Sequence, residues 1–139
     1  MTLTRETTCE GWGPEVNEPR DAVSVTESWP ELHEHLQKLI GRLGREAPGP
    51  MSGFAVLHKT AVAPGALTGP VKELIALAIG VAMRCDGCIA YHIHDALEAG
   101  ATRAEITDAI GVAVMMGGGP AVIHGAKALE ALDQFAPAA

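Results

Sequence analysis

The residues of this chain best suited to chemistry are two cysteines, a histidine and a carboxylate. Cys85 and Cys88 are separated by two residues, and His92 follows Cys88 by four positions. A C-x-x-C pair can close a small disulfide ring and is the usual geometry of a redox-active dithiol. Asp86, between the cysteines, is a turn-forming residue, so we predict that a helix begins at or near it. The pair is therefore a candidate redox centre.

A helix that begins between two thiols changes their chemistry. Its first backbone N–H groups and the positive end of its dipole would face the sulfurs and favour the thiolate. The thiolate is the form that attacks peroxides and disulfides. His92 lies one helical turn after Cys88, so the two side chains share a helix face. The imidazole can take a proton from Cys88 or stabilise its anion.

Glu73 is the carboxylate of this group. It lies twelve residues before Cys85, at the edge of the apolar segment 74–83. A carboxylate in so apolar a segment needs a partner, and His92 or a cysteine, directly or through a water, is the nearest chemical candidate. The alternative interpretation is a first-turn carboxylate that satisfies a helix dipole. The residues alone leave both interpretations open.

These residues resemble the signature of the AhpD-like alkylhydroperoxidases, which belong to the carboxymuconolactone decarboxylase superfamily. The similarity extends from the four residues to the flanking segments 72–78 and 88–92 and to the Gly-Ala-Thr-x-x-Glu-Ile of residues 100–106. It covers roughly residues 50 to 135. Several spaced elements agree, so the resemblance is more specific than a C-x-x-C pair alone.

The resemblance implies an all-α, oligomeric protein, a trimer or hexamer, with a redox-active C-x-x-C disulfide. Carried onto this chain, it makes Cys88 the peroxide-attacking thiol and Cys85 the more exposed resolving and exchange partner. Glu73 and His92 would form the proton relay. The implied partners are a small hydroperoxide and a dithiol or protein reductant, and no metal or organic cofactor is required. Some members have a histidine between the cysteines, where this chain has Asp-Gly.

Other functions remain open at this point. The same cysteine pair could serve general protein thiol–disulfide exchange, with peroxide incidental. A non-enzymatic helical oligomer could bind zinc through Cys85, Cys88 and His92, with Glu73 as the fourth ligand. Tight zinc sites more often use two separated ligand pairs, which disfavours this function. The lactone decarboxylase chemistry of the superfamily does not depend on a C-x-x-C, so the intact pair argues against it.

Composition bounds the class of protein. The chain has 139 residues, which predicts one domain, and 47% hydrophobic residues with only 4% aromatics, which suits a helical core. The net charge of −7 gives no basis for binding nucleic acid or an anionic membrane. The segment 74–83 is too short to span a bilayer, and the polar start of the chain has no signal-peptide pattern. We predict a soluble, cytoplasmic protein, in which a C-x-x-C is more often catalytic than a structural staple.

The chain as a whole predicts about six helices. Residues 1–26 are acidic and lack apolar periodicity, so we predict a flexible N-terminal arm that contains an incidental free thiol, Cys9. Residues 27–136 form the predicted helical domain. Its first helix begins at a capping box at Ser28 and ends at Gly44. The Pro-Gly-Pro of residues 48–50 is predicted to be a turn before a short helix over 51–62.

The remaining helices follow similar signals. Thr68 is the predicted N-cap of a central, buried third helix, and Thr102 opens the fifth through a second capping box. Met115 and Met116 are assigned by default to core filling near the end of that helix. The last helix covers about residues 120–134. It is predicted to bury Val122, Ala126, Leu129 and Phe135.

Histidines outside the C-x-x-C region receive weaker assignments. His33 and His35 lie among glutamates on the predicted polar side of the first helix, which disfavours a metal role. His58 is placed at the surface in preference to the active centre, and His124 is a second candidate near the site. Small residues such as Gly80, Ala82, Gly111 and Gly125 are expected to permit close helix contacts.

Overall fold

Residues 28–137 of the chain are described by the structure, a computed structural model. They form six helices: α1 (Trp29–Glu46), α2 (Pro48–Val62), α3 (Gly69–Ala82), α4 (Asp86–Glu98), α5 (Arg103–Gly117) and α6 (Gly119–Phe135). No strand occurs within this range, so the prediction of an all-α fold of about six helices is confirmed. The predicted N-terminal arm and Cys9 lie outside the described residues. Within the described part, no helix is long and apolar enough to cross a membrane.

Helices α3 and α4 lie at the centre of the fold. α3 packs against α2, α4, α5 and α6, while α4 packs against α1, α3 and α6. Leu77 and Val81 of α3 and Ile89 and Ile93 of α4 are fully buried in the core. α3 is central, as predicted, but it is buried on one face only, because its face carrying Ile75, Ile79 and Met83 is exposed. The opposite face of α3, which carries Glu73, Leu77, Gly80 and Val81, is buried.

The α1–α2 connection is shorter than the sequence indicated. α1 continues through Gly44 to Glu46, and α2 begins at Pro48, so Ala47 caps both helices. The predicted Pro-Gly-Pro turn is instead the first turn of α2. Proline is favoured in a first helical turn, because its missing N–H would have no intrahelical partner there. Glycine in α1 lowers helix propensity by only about 1 kcal/mol, which the surrounding helix-favouring residues offset.

The α3–α4 connection brings the chain directly to the first cysteine. The Cys85 N–H donates to the Gly80 carbonyl (3.0 Å) and the Arg84 N–H donates to the Val81 carbonyl (3.1 Å). These two bonds form a Schellman motif, whose left-handed position is usually glycine. Here it is Arg84, with φ of 60°. Three residues therefore suffice to end α3 and to start α4, and this fixes Cys85 against the end of α3.

Helix α6 packs with its small residues inward. Ala121, Gly125, Ala128, Ala131 and Leu132 are buried. The predicted buried stripe is wrong for Val122, Ala126 and Leu129, which are exposed, whereas Phe135 is partly buried against the core. Apolar residues cover more than one face of this helix. The face with the small residues is the one that is buried, because α6 approaches α5 closely there. A Cβ at position 125 would lie 3.0 Å from Val114 Cγ2.

The end of α5 also differs from expectation. Met115 and Met116 are 72% and 75% exposed, so they do not fill the core. The capping box at the start of α5 is present, with Thr102 accepting from the Glu105 N–H and Glu105 accepting from the Thr102 N–H. These hydrogen bonds hold the pKa of Glu105 below its ordinary value.

Candidate functional site

The two cysteines form a disulfide at the N-terminus of α4. The sulfurs are 2.03 Å apart and the Cα atoms 5.2 Å apart. Asp86 is the first residue of α4, as predicted, and Cys85 is its N-cap. The backbone N–H of Cys88 donates to Cys85 Sγ at 3.2 Å. The sulfur of Cys85 therefore occupies the position where a helix N-terminus stabilises negative charge.

Glu73 and His92 form a hydrogen-bonded pair between α3 and α4. Glu73 Oε2 lies 2.8 Å from His92 Nδ1, and Glu73 is only 5% exposed. α3 begins at Gly69, so Glu73 lies beyond the first turn and does not serve as a first-turn carboxylate. Of the two interpretations left open above, the partnered carboxylate is the one that fits.

The hydrogen bond determines which nitrogen of His92 is free to act. An ionised carboxylate can only accept a hydrogen bond, so an ionised Glu73 requires the proton of a neutral His92 to sit on Nδ1. Nε2 then carries the lone pair. An imidazole held in this tautomer is ready to accept a proton from a group near Nε2. Because Cys88 is one turn before His92 on the same helix, its thiol is the candidate donor.

Gly80 lets α3 approach α4 at the disulfide. A Cβ placed on residue 80 would lie 3.1 Å from Cys88 Cβ and 3.6 Å from the Cys88 carbonyl carbon. The first distance is tighter than an ordinary van der Waals contact, so a side chain here would push against the cysteine. The predicted close contact at Gly80 is confirmed. The one at Gly111 is wrong, since nothing surrounds a Cβ placed there.

Asp86 ties the C-x-x-C loop to α6. Its Oδ2 accepts from Lys127 Nζ at 2.6 Å, and its Oδ1 lies 3.7 Å from His124 Nε2. His124 thus lies beside Asp86, the first residue after Cys85. Lys127 is a contributor that sequence reasoning missed, because a lysine 41 residues from Asp86 gives no local signal. Within the disulfide loop, a Cβ on Gly87 would lie 3.0 Å from Leu36 Cδ1, so the leucine side chain would have to shift to admit it.

His58 of α2 extends the site toward solvent. Its ring centroid lies 6.3 Å from that of His92, with the two planes 28° apart. Phe54, one turn earlier, places its ring 6.4 Å from His58. His58 is exposed, as the sequence favoured, yet it also faces the histidine of the redox centre. α2 therefore contributes an imidazole and an aromatic ring beside the site.

His33 lies in the interior, on the other side of α4. It is 5% exposed, and its ring stacks on His94 at 4.3 Å between centroids. The expectation that His33 belongs to the polar side of α1 is wrong. It lies one turn after the fully buried Trp29, and this i+4 relation was the available signal. Burial, reinforced by the neighbouring His94, lowers the pKa of His33.

The residues predicted to be functional therefore group as follows. The structure brings Glu73 to His92, and it brings both cysteines to the start of the helix that carries His92. His94 is separated from this group and lies with His33 and Asp95. A zinc site that uses the two cysteines would require the reduced thiols, since disulfide sulfurs are not the thiolates that bind zinc.

Comparison with known proteins identifies the relatives of this fold and site. Residues 48–131 match the Carboxymuconolactone decarboxylase family. An uncharacterised protein of Cupriavidus necator is 38% identical over 98 residues, which are 70% of this chain and 87% of that protein. An uncharacterised protein encoded in the cox locus of Paracoccus denitrificans is 38% identical over 96 residues, or 69% and 86% of the two chains.

Two crystal structures share the fold. A carboxymuconolactone decarboxylase family protein from Legionella pneumophila superposes with a TM-score of 0.74 at 38% identity, covering 77% of this chain and 96% of that one. A family protein from Thermotoga maritima, described as possibly involved in antioxidative response, superposes with a TM-score of 0.67 at 29% identity. It covers 75% of this chain and 88% of that one.

Proposed function

The chain belongs to the carboxymuconolactone decarboxylase family, whose members are decarboxylases or peroxidase-like enzymes, and we propose that it is a thiol-dependent peroxidase that reduces alkyl hydroperoxides. One observation carries the proposal. Helix α4 carries the C-x-x-C disulfide at its N-terminus and, one turn after Cys88, His92, which is hydrogen-bonded to Glu73 of α3. A decarboxylase has no need of the cysteine pair.

The reaction begins from the reduced protein. The Cys88 thiolate attacks the O–O bond of the hydroperoxide, forming cysteine sulfenic acid and releasing the alkoxide, which takes up a proton to leave as the alcohol. The Cys85 thiol then condenses with the sulfenic acid to form the disulfide and water. An external dithiol reduces the disulfide by exchange and is itself oxidised to a disulfide. Each turnover moves two electrons from the dithiol to the peroxide.

Glu73 and His92 supply the proton transfers. Nε2 of His92 accepts the Cys88 proton and so generates the nucleophile. The resulting imidazolium is stabilised by the buried Glu73 carboxylate at 2.8 Å. The imidazolium then returns the proton to the departing alkoxide. No part of this cycle requires a metal or an organic cofactor.

A second candidate function is general thiol–disulfide exchange. The observation that favours it is the Cys88 N–H bond to Cys85 Sγ, which stabilises a Cys85 thiolate at the helix N-terminus. Cys85 would then be the sulfur that exchanges with a partner protein. The two functions share the exchange step and differ in whether a peroxide is the oxidant.

Peroxide consumption by the pre-reduced, metal-free protein tests the proposal. A Cys9→Ser background removes the third thiol of the chain. We expect tert-butyl hydroperoxide to be consumed at about one equivalent per chain, with formation of the Cys85–Cys88 disulfide. Cys88→Ser should be inert, while Cys85→Ser should stop at a sulfenic acid that dimedone traps.

The outcomes separate the two functions. If the thiols survive the hydroperoxide but exchange with a protein disulfide, the peroxidase proposal is wrong and the exchange function stands. If Cys85→Ser is inert and Cys88→Ser forms the sulfenic acid, the assignment of the attacking thiol is reversed.

We also propose that the protein assembles as a homo-oligomer. α2 buries none of its residues within the chain, and Phe54, Val56 and Leu57 are each more than half exposed. A second subunit packed on α2 would remove these apolar side chains from water. The sequence resemblance implies a trimer or hexamer, and light scattering would measure the mass. A single-chain mass at micromolar concentration would contradict the proposal.

A further inference from the structure

A second group of potential ligands lies on the opposite side of α4 from the redox centre. His33 of α1 and His94 and Asp95 of α4 each place a ligand atom within 4.8 Å of the others. His92 and His94 are about 200° apart around the helix at ~100° per residue, so the two groups face different neighbours. His92 meets α3, and His94 meets α1. This second group takes no part in the proposed peroxidase chemistry.

The group contains a buried polar atom without a partner. His33 Nε2 is inaccessible to solvent and has no hydrogen bond among the described residues. A buried nitrogen left unpaired is unfavourable, and most such atoms in proteins are paired with protein, water or an ion. A water or an ion beside His33 would satisfy this atom.

The surroundings of His33 favour binding of a metal ion over protonation of the imidazole. Its imidazole stacks on His94 at 4.3 Å, and two imidazolium ions at that separation would repel. Metals bind the neutral form of an imidazole, which avoids this repulsion. The rings of Tyr91 and Phe135 lie 4.6 Å and 6.0 Å from His33 and form an apolar wall around it.

We propose that His33, His94 and Asp95 bind a divalent transition-metal ion of the zinc class. Two imidazoles and a carboxylate are a ligand set that suits zinc, and three protein ligands leave a fourth position for water. The bound ion would link α1 to α4.

The ligand atoms are close to the required spacing. Zinc–ligand distances of about 2.0–2.1 Å in a tetrahedral site separate ligand atoms by ~3.3 Å. The observed limit of 4.8 Å means that the ligand atoms must close by up to about 1.5 Å on binding. His94 must also turn out of its stack on His33, because an imidazole binds a metal in the plane of its ring. His94 and Asp95 are one-third exposed, so they have room to rotate and also leave an entry path for the ion. His94 Nδ1 now lies 2.9 Å from Asp95 Oδ1, so ligation through Nε2 preserves that bond and ligation through Nδ1 replaces it.

Zinc titration of the oxidised full-length protein tests the site. The Cys85–Cys88 disulfide prevents those sulfurs from binding zinc, and a Cys9→Ser background without an affinity tag removes other strong ligands. Calorimetry should show one saturable Zn²⁺ per chain. Co²⁺ should give the visible bands of a four-coordinate site without a thiolate charge-transfer band.

Four variants make the result specific. His33→Gln, His94→Gln and Asp95→Asn should each weaken zinc binding by about tenfold or more, at least the loss caused by disturbing second-sphere groups of metal sites. His35→Gln is the matched control, since His35 is exposed on the same helix two residues from His33. It should bind zinc as the wild type does.

The proposal fails on two clear results. One is the absence of saturable zinc binding in the oxidised protein. The other is wild-type affinity in His94→Gln and Asp95→Asn, which alter partly exposed side chains and keep the test decisive even if His33→Gln does not fold. Because the oxidised protein is used, neither result depends on whether the reduced thiols consume peroxide.

Discussion

His92 and His94 are two residues apart on α4, yet their environments differ completely. His92 faces α3, where Glu73 accepts its hydrogen bond at 2.8 Å and fixes its tautomer. His94 faces α1, where it stacks on His33, whose Nε2 has no partner among the described residues. We call these the redox face and the His33 face of α4. On the redox face the histidine is paired with a carboxylate of the chain, whereas on the His33 face we propose that a metal ion is the partner.

The comparison teaches how a residue's surroundings select its chemistry. Both histidines belong to one helix, and the two-residue step directs them to different neighbours. A buried carboxylate makes His92 a candidate base, and a second imidazole makes His94 a candidate ligand. Residue type alone would not have distinguished them.

The largest expected effect comes from breaking the redox face at Glu73. A glutamine amide can donate to His92 Nδ1, which favours the tautomer with the proton on Nε2 and removes the base from Cys88. Glu73→Gln should slow peroxide-driven disulfide formation by about 10²-fold or more, as loss of general base catalysis does. Stopped-flow fluorescence or quenched mass spectrometry would give the rate. Glu98→Gln, at the exposed end of α4, is the control, and an equal rate in both variants would contradict the role of Glu73.

A smaller effect is expected from crowding the redox face at Gly80. An added Cβ lies 3.1 Å from Cys88 Cβ, and the overpacking penalty of about 1–3 kcal/mol exceeds the helix propensity gained. Gly80→Ala should therefore lower the free energy of unfolding by about 1 kcal/mol. Gly111→Ala, in open space on α5, should raise it by about 0.5–1 kcal/mol. Urea denaturation of both variants measures the two changes in the free energy of unfolding. Changes of the same sign would contradict the prediction.

The two ends of the central helices offer a matched pair of substitutions. Arg84 closes α3 with φ of 60°, and Gly100 closes α4 with φ of 96°, through the same hydrogen-bond pattern. Arg84→Gly should stabilise the protein by up to about 1 kcal/mol, and Gly100→Ala should destabilise it by about 1 kcal/mol. Thermal unfolding measures both. A destabilised Arg84→Gly would mean that the arginine side chain contributes more than its conformation costs.

The smallest expected effect is a change in the pH dependence of the free energy of unfolding when His33 is replaced. Burial and His94 lower the pKa of His33 below 6.5, although Asp95 and Glu34 act in the opposite direction. The unfolded chain then binds more protons, so stability is fully present above the unfolded pKa and is lost as the pH falls through and below it. Unfolding in a chelator at about pH 7.5 and about pH 5.5 should show a larger loss for wild type than for His33→Gln. His35→Gln should behave like wild type, and equal losses in all three proteins would contradict the assignment.

Much of the fold could be predicted from local signals. The capping box at Thr102 and the helix start at Asp86 follow from residue type and local spacing, and the structure contains both. Predictions failed where more than one face of a helix was apolar. In α6, periodicity could not choose between the stripe of Val122 and Leu129 and that of Ala121 and Ala128. Close packing chose the small residues.

The sequence by itself determined the candidate redox centre. The spacing of Cys85, Cys88 and His92 places an imidazole one turn from a thiol in any helix that begins at Asp86, because helix geometry is local. Only the tertiary structure decided which group Glu73 would meet, that Lys127 would hold Asp86, and that His33 would be buried beside His94. Those contacts join residues 19, 41 and 61 positions apart in the chain. No local rule fixes such pairs, since they depend on how whole helices pack.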